Sequence, residues 1–303
     1  MTPFSPPAIE DPAAGQRSLA ERVRDYLVLG KFRLSLLVVF SASLAYLTAT
    51  GGAVDGRKFF WLVVASVLIT LAANAYNQII EVDTDRLMRR TADRPLAAER
   101  LSIAHGQDYV SLSGGLGMCV LFWQFGWTAG VLGMASFFVY AWVYTPLKKQ
   151  SPLAVPVGAV PGALPVIIGW AAAAPLDASA WTLFVLQFLW QFPHFWAIAW
   201  VLDDDYKQAG FRLLPDTAGR TAGSARWIVL SAVLLIPAGM VPYIWGGFSL
   251  WAALLCVGLG LGFATVVLPM LRKPSVAAAR RVMFGSFLYL PLMQLVLLFD
   301  RLL

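Results

Sequence analysis

Long apolar stretches separated by short polar segments make up most of this chain of 303 residues. Each stretch is about 18 to 23 residues long, which is the length that an α-helix needs to cross a hydrocarbon layer of about 30 Å. The pattern predicts an all-α, polytopic membrane protein with nine transmembrane helices. The predicted spans cover 34–54, 58–80, 108–125, 127–145, 153–174, 179–201, 225–246, 248–271 and 282–299.

The composition agrees with a protein that lies in a bilayer. Apolar residues make up 59% of the chain, charged residues only 13%, and the mean hydropathy is +0.68. These values lie far from those of soluble domains. We expect residues 1–30 to form an N-terminal cytoplasmic segment, disordered in its first part and with a surface helix around 20–30. Residues 31–303 are expected to form a single integral-membrane domain.

The positive charges fall on one set of alternating loops. Of the 23 Lys and Arg residues, all except Arg57, Lys58 and Arg301 lie before the first predicted span, in the loops after the second, fourth, sixth and eighth spans, or, for Arg226, at the start of the seventh span next to the sixth loop. Positively charged loops stay on the cytoplasmic side of a membrane. The distribution predicts a cytoplasmic N-terminus. It also explains the net charge of +6 through contact with anionic lipid, so no nucleic-acid partner is needed.

The most informative polar segment runs from 74 to 94 and reads NAYNQIIEVDTDRLMRRTADR. Asn77, Glu81 and Asp85 are spaced four apart, so they share one face if the helix continues. Carboxylates on one face attract a divalent cation, whereas guanidinium groups match the oxygens of a phosphate. The segment predicts a site for a metal diphosphate. Its arginines are Arg86, Arg89, Arg90 and Arg94.

A second acidic cluster follows the sixth predicted span. Asp203, Asp204 and Asp205 are consecutive, and Lys207 and Arg212 come shortly after them. Adjacent carboxylates repel one another, and a bound cation would offset that repulsion. Mg²⁺ prefers one or two carboxylates together with phosphate oxygens and water. We therefore expect the two acidic clusters to face one shared, water-accessible cavity.

Other polar residues lie at the same predicted membrane face or inside a span. Lys148 and Lys149 follow the fourth span, where they are candidate diphosphate contacts. His194 lies within the sixth span, and an ionisable group at that depth is a functional candidate because leaving it unpaired in hydrocarbon is costly. An axial ligand to haem iron, a base or a contact to a propionate would each suit this histidine.

Each of these features has a simpler interpretation. The first acidic cluster could be a solvated loop with local ion pairs, and the Asp203–Asp205 run could be a helix end that faces water. Lys148 and Lys149 could serve only to orient the chain in the membrane. His194 could be a structural residue that is hydrogen-bonded to a neighbouring helix. The Gly- and Pro-rich run at 156–170 could either allow close helix packing or leave room for a bulky ligand.

Several motifs together resemble one known family. NQIIEVDTDRLMRRTADRPL, YTPLKK, GALPVIIGW, WQFPHFWAIAW and DYKQAGFRLLP are similar, in order and spacing, to the UbiA-type intramembrane prenyltransferases. The PHFW and AGFRLLP motifs point to the branch that modifies haem, the protohaem IX farnesyltransferases. The similarity extends over nearly the whole chain from Lys31 onward.

The resemblance implies nine helices around a central cavity and a Mg²⁺-dependent enzyme of the bacterial inner membrane. Members of this family transfer the farnesyl group of farnesyl diphosphate to a vinyl group of haem B, with addition of water, to give haem O. The resemblance also suggests haem A synthase as a protein partner. Two other functions remain open, namely a prenyltransferase for a quinone precursor or chlorophyllide, and a non-catalytic haem-binding or transport protein.

The resemblance assigns roles to individual residues. It implies that Asn77, Glu81, Asp85 and Asp205 are catalytic metal ligands, with Asp204 as a further ligand. Diphosphate contacts are expected at Arg90, Arg94, Lys148, Lys149 and Lys207. His194 is the expected haem-binding residue, with Trp190, Phe195 and Trp196 as candidate aromatic neighbours. The chain departs from the family pattern at Lys31–Arg33, Glu81, Ala154 and Asp203.

Overall fold

Helices account for all the regular structure in residues 18–303, which are the residues that the computed structural model describes. The predicted disorder of the first residues lies outside this range, whereas the predicted surface helix is present as α1. A π-helix at Val139–Tyr144 joins α5 to α6. The α-helices are α1 (Leu19–Leu29), α2 (Phe32–Thr50), α3 (Gly56–Ile80), α4 (Val82–Leu87), α5 (Ile103–Phe138), α6 (Thr145–Leu147), α7 (Ala154–Ala171), α8 (Ala178–Val201), α9 (Asp203–Gln208), α10 (Ala222–Val233), α11 (Leu235–Ala238), α12 (Val241–Ile244), α13 (Leu250–Val267), α14 (Pro269–Arg272) and α15 (Val276–Leu302).

Most of the long helices begin at a side-chain cap. An oxygen of the capping residue accepts a hydrogen bond from a backbone N–H in the first turn, which would otherwise lack a partner. These caps define where the chain leaves each loop and enters the bundle. The capping residues are Ser18, Asp55, Ser102, Asp177, Thr221, Ser249 and Ser275.

Seven helical segments of the described chain are long and apolar enough to cross a membrane. The predicted count of nine is therefore not confirmed, although the all-α membrane fold is. Two features explain the difference. The helix α8 is long enough but contains Gln187, Gln191 and His194, which lower its hydropathy, and the two spans predicted within 103–147 follow one another without a loop, joined only by a kink. That segment changes direction at Gly126, whose φ of 77° is non-helical.

The outer surface of the bundle is apolar, as expected for contact with lipid chains. Trp123 and Trp127 are 86% and 79% exposed, and many leucines on the outer faces of the helices are also exposed. The largest buried core joins α7, α8, α10, α13 and α15. The central helix α7 packs against α2, α5 and α8. An exposed apolar surface of this extent indicates a membrane-embedded protein.

The small residues of α7 serve both purposes that the sequence left open. A Cβ atom at Gly169 would overlap the carbonyl oxygen of Ala42 and lie 2.8 Å from its carbonyl carbon, so this glycine lets α7 approach α2 closely. Gly158 and Gly162, on another part of α7, line the central cavity described below. Close packing and space for a ligand therefore both occur along this helix.

Substitution of Gly169 by alanine is expected to destabilise the protein by about 1–3 kcal/mol or more, since the added methyl group meets backbone rather than a movable side chain. Thermal unfolding of the purified protein in detergent would measure the loss. Gly258→Ala in α13 is the matched control, because a Cβ there meets nothing within 4 Å. Equal melting temperatures for Gly169→Ala and the unsubstituted protein would contradict the close approach.

Candidate active site at the converging helix ends

The first acidic cluster spans the junction between α3 and α4. α3 ends just before Glu81 and α4 begins just after it, yet the N–H of Glu81 donates to the carbonyl of Asn77 (3.0 Å) and the N–H of Asp85 donates to the carbonyl of Glu81 (2.7 Å). The four-residue hydrogen bonding therefore continues across the junction. All three side chains are buried, so the predicted common face exists and points into protein.

Basic residues neutralise both buried carboxylates of this cluster. Nη1 of Arg94 donates to the two carboxylate oxygens of Asp85 at 2.8 and 2.7 Å, and only 1% of the Asp85 side chain is exposed. The Lys148 ammonium group pairs with Glu81, and both of these side chains are also buried. The simpler interpretation, a solvated loop with local ion pairs, fits Asp83 and Arg86, which are largely exposed, but it does not fit Glu81 and Asp85.

Asn77 is held by two residues that the sequence analysis did not single out for the site. Nζ of Lys31 donates to Oδ1 of Asn77 at 2.9 Å, and Nδ2 of Asn77 donates to Oγ1 of Thr145 at 3.3 Å. Thr145 in turn donates to the carbonyl of Tyr140 at 2.8 Å, within the π-helix. Such π-helical turns are rare and often lie at functional sites.

Lys31 reaches this position through an unusual turn between α1 and α2. Its backbone is left-handed, with φ at 49°, which is strained for a residue with a side chain. Burial of the ammonium group, together with the positive charges of Arg94 and Lys148, lowers the pKa of Lys31 to about 7. An anion that bound beside Lys31 would favour its charged form.

The second acidic cluster is compensated by its own bases. The buried Asp203 pairs with Lys207 at 2.8 Å, and the largely exposed Asp204 pairs with Arg220 at 3.1 Å. Basic side chains therefore relieve the repulsion within the run, and cation binding there stays a prediction. Lys207 and Asp204 are thus engaged locally rather than aimed at a shared ligand. Asp205 takes part in no ion pair or side-chain hydrogen bond within residues 18–303 and is half-buried.

The loop after α9 packs directly against Lys148. The backbone N–H of Arg212 donates to the carbonyl of Lys148 at 2.8 Å. The Lys148 ammonium lies 4.9 Å from the ring centroid of Tyr144 and 5.4 Å from that of Phe211. Since Lys148 also pairs with Glu81, a single side chain connects the first acidic cluster to the loop that follows the second.

Tyr206 shows the same proximity electrostatically. The pKa of its phenol is raised, mainly by burial. The nearby charge of Glu81 also raises this pKa, whereas the charges of Arg90, Lys148 and Arg94 act to lower it. Tyr206 directly follows Asp205, so the two clusters lie at one end of the bundle. Arg90 and Lys149 are both exposed on this rim.

Mg²⁺ suits the oxygen donors that lie here, but the ligand-free arrangement is not a formed metal site. Carboxylate and amide oxygens are the donors that Mg²⁺ prefers. No group of three or more His, Cys, Asp or Glu residues in the described part of the chain is arranged to hold a metal ion. Glu81 and Asp85 form ion pairs with Lys148 and Arg94, and metal binding by these carboxylates stays a prediction.

A cavity of about 430 Å³ extends from Lys31 into the interior of the bundle. A volume of this size is typical of a small-molecule site. Its walls are mainly apolar and aromatic, and Tyr140 and Tyr144 lie at the end nearest Lys31. Other polar residues on its walls include Asn74, Gln187, Gln191, His194 and Gln294.

Two of these polar residues connect three helices. Nε2 of Gln294 on α15 donates to Oε1 of Gln187 on α8 at 2.7 Å, and Nε2 of Gln187 donates to the carbonyl of Gly162 on α7 at 2.8 Å. Unpaired amides at this depth would be costly, so these bonds explain how the bundle tolerates them.

His194 lies on the wall of the cavity with one nitrogen bonded. Nδ1 of His194 is 2.8 Å from Oγ of Ser286 on α15, as the structural interpretation expected. Trp190 stacks on the imidazole ring with centroids 4.5 Å apart, and Phe195 packs edge-on at 5.1 Å. Trp196 does not line the cavity. It packs against Phe192 on its own helix and Trp227 on α10.

Comparison with known proteins identifies the family. A model described as the UbiA prenyltransferase family matches residues 38–290. The chain belongs to this family. Similar relatives include the protoheme IX farnesyltransferase of Cytophaga hutchinsonii, which is 40% identical over 93% of this chain and 99% of the relative. The protein of that name from Christiangramia forsetii is 39% identical, over 93% and 95%.

Solved UbiA-family structures share the fold. A digeranylgeranylglyceryl phosphate synthase structure has a TM-score of 0.78 at 17% identity and covers 93% of this chain and 99% of that chain. A UbiA homologue from Archaeoglobus fulgidus, bound to GPP and Mg²⁺, has a TM-score of 0.65 at 14% identity, over 90% and 99%. The family resemblance that the motifs indicated is confirmed.

The sequence analysis of this UbiA-family chain missed four residues of the site. Lys31 was noted only as a departure from the family pattern, although its position before the first span was a signal. Thr145 lies inside the quoted YTPLKK motif. Ser286 and Gln294 gave no signal beyond being polar residues within an apolar span.

Proposed function

We propose that this protein transfers the farnesyl group of farnesyl diphosphate to a vinyl group of haem B, with addition of water, to give haem O and diphosphate. The main support is the identity of about 40% over nearly the full length of relatives named protoheme IX farnesyltransferase. A large apolar cavity next to a charged rim agrees with this reaction, because the substrates join a diphosphate to a prenyl chain and a porphyrin.

In our proposal the rim binds the diphosphate. Arg94 and Lys148 would exchange their carboxylate partners for phosphate oxygens, and Lys31 would add a third cationic contact at the mouth of the cavity. Asn77, Glu81, Asp85 and Asp205 would then hold Mg²⁺, with Asp204 as a weaker candidate because it is paired with Arg220. Bound Mg²⁺ would neutralise the charge that develops on the departing diphosphate.

The walls of the cavity would bind the farnesyl chain and the porphyrin. The farnesyl chain would lie against apolar and aromatic residues, whose π-faces stabilise the allylic cation. The vinyl group of haem B would attack C1 of the farnesyl group, and water would add to the resulting cation beside the porphyrin, releasing a proton. Trp190 and Phe195 remain candidates for the aromatic lining, whereas Trp196 is too far around α8.

We further propose that the basic rim faces the cytoplasm of a bacterial cell, with the protein in the inner membrane. The support is the asymmetric distribution of Lys and Arg described above. Contact with a haem A synthase would follow from the chemistry, since haem O is an apolar product. Cross-linking in native membranes would test that contact.

The reaction itself can be tested with purified protein in liposomes. Given haem B, farnesyl diphosphate and Mg²⁺, the protein is expected to form haem O, detected by mass spectrometry. Chelation of the metal with EDTA should lower the product at least about 100-fold, and added Mg²⁺ should restore it, because the charge on the leaving group is otherwise uncompensated. Prenylation of a quinone precursor in place of haem B would contradict the proposed acceptor.

A further inference from the structure

The hydrogen bonds around Ser286 determine which nitrogen of His194 carries the proton. Oγ of Ser286 lies 2.6 Å from the carbonyl oxygen of Met283 and 2.8 Å from Nδ1 of His194. A carbonyl oxygen can only accept, and a serine hydroxyl has one hydrogen. The hydroxyl must therefore donate to Met283. Oγ is left to accept from an N–H group at Nδ1 of His194.

The same bonds leave Nε2 of His194 with a free lone pair. A neutral imidazole that is protonated at Nδ1 has an unprotonated Nε2. No residue within 18–303 bonds to that nitrogen, and the ring lines the cavity. This lone pair is a Lewis base on the wall of a mostly apolar cavity, so Nε2 can bind a metal ion. Ser286 on α15 determines the tautomer of the imidazole that leaves Nε2 unprotonated.

The orientation of the ring is fixed as firmly as its tautomer. Nε1 of Trp190 donates to the backbone carbonyl of Ser286 at 2.8 Å, so Ser286 anchors both the histidine and the indole that stacks on it. Phe287 packs edge-on against the imidazole with centroids 4.9 Å apart. Only 6% of His194 is exposed. A ring held on several sides presents Nε2 in one direction.

We propose that Ser286 is a positioning residue, which fixes His194 in the Nδ1-protonated tautomer so that Nε2 ligates the iron of the porphyrin substrate. The inference rests on the proposed function, since it takes haem as the molecule in the cavity. An imidazole nitrogen is a common axial ligand of haem iron, and a hydrogen bond at the other nitrogen orients such ligands and strengthens their basicity.

A bond between His194 and the haem iron would hold the porphyrin, which accepts the farnesyl group, in a fixed position relative to farnesyl diphosphate. Lys31 and Tyr144 line the same cavity as His194, so a porphyrin that is anchored at its iron shares one chamber with the end of the cavity that adjoins the diphosphate site. The iron is not changed in the reaction. Its bond to His194 holds the porphyrin in place while a peripheral vinyl group reacts.

Binding of two porphyrins to the purified protein, without farnesyl diphosphate, tests this role. The affinity for ferric haem B includes contacts with the cavity walls and ligation of the iron. The affinity for iron-free protoporphyrin IX includes the wall contacts alone. In the unsubstituted protein we expect haem to give the Soret and electron paramagnetic resonance signals of a nitrogen-ligated iron. His194→Ala should lose those signals and bind haem at least about 10-fold more weakly, with an unchanged affinity for protoporphyrin IX.

Ser286→Ala is the decisive variant. Removal of the acceptor for Nδ1 is expected to weaken haem binding about 10-fold and to alter the ligation signals, with protoporphyrin IX binding unchanged. Ser286→Thr keeps the hydroxyl and should restore both. Ser231→Ala is the matched control, because Ser231 makes the same bond to the carbonyl three residues earlier but lies away from the cavity. Melting temperatures would confirm that each variant is folded.

The outcomes separate the two proposals. Ligation signals and haem affinity in Ser286→Ala that equal those of the unsubstituted protein would overturn the positioning role and leave the proposed function standing. Failure of the unsubstituted protein to bind either porphyrin would overturn the proposed function, and this inference with it.

Discussion

Substitution of Asp85 by asparagine is expected to lower farnesyl transfer by at least about 100-fold, the effect of removing a group that stabilises charge in the transition state. Both carboxylate oxygens of Asp85 contact Arg94 in a site that is closed to water. Asparagine keeps the shape of the side chain but removes its charge. The Arg94 guanidinium would then lack its counter-charge, and a metal ion would lose an anionic ligand.

Asp83 provides the matched control for Asp85. It lies two residues earlier on α4, its side chain is 88% exposed, and its ion pair with Arg86 is 3.6 Å long. Asp83→Asn should keep activity within about 2-fold, because exposed ion pairs contribute little. Haem O formation per amount of protein in the membrane measures both variants. Equal activities for Asp83→Asn and Asp85→Asn would contradict the assigned role.

Substitution of Lys148 by glutamine is expected to have the second large effect, a loss of about 100-fold or more in kcat/KM for farnesyl diphosphate. Lys148 contacts the buried carboxylate of Glu81 and two aromatic rings, and it connects the first acidic cluster to the loop that follows the second. Glutamine would leave Glu81 as an unpaired buried charge. That change is expected to cost about 3 kcal/mol of stability in addition to the lost diphosphate contact.

Lys149→Gln is the control that distinguishes the specific contacts of Lys148 from the overall positive charge of the rim. Lys149 is adjacent in sequence but exposed, so Lys149→Gln should change kcat/KM by less than about 3-fold. Inorganic diphosphate with Mg²⁺ is expected to raise the melting temperature of the unsubstituted protein and of Lys149→Gln, but not of Lys148→Gln. Protection of Lys148→Gln by the same ligand would show that Lys148 is structural only.

The sequence predicted the fold class and the location of the polar site because both depend on local patterns. Spans were visible as apolar stretches, and the four-residue spacing of Asn77, Glu81 and Asp85 survives the change from α3 to α4. The position of Trp196 could also have been foreseen. It lies two residues after His194, and positions two apart on a helix do not face each other, whereas Trp190, four residues before His194, does share its face.

Other parts of the site depend on features that a single sequence does not show. Lys31 reaches Asn77 only because the backbone at Lys31 is left-handed, a conformation that nothing in its residue type favours. Thr145 is presented by a π-helical turn. The pairing of Ser286 with His194 joins residues 92 positions apart, so it follows from the packing of α15 on α8 rather than from any motif.

The ion pairs that close the ligand-free rim limit the form in which a donor can enter. A diphosphate without metal would have to take Arg94 and Lys148 away from Asp85 and Glu81. It would then leave two bare carboxylates beside a third anion in a place that water scarcely reaches. If the rim binds diphosphate as proposed, such a state is strongly disfavoured, and we expect the prenyl donor to bind together with its divalent ions. On the same proposal, the ion pairs of the ligand-free rim would exclude free diphosphate whenever divalent ions are scarce.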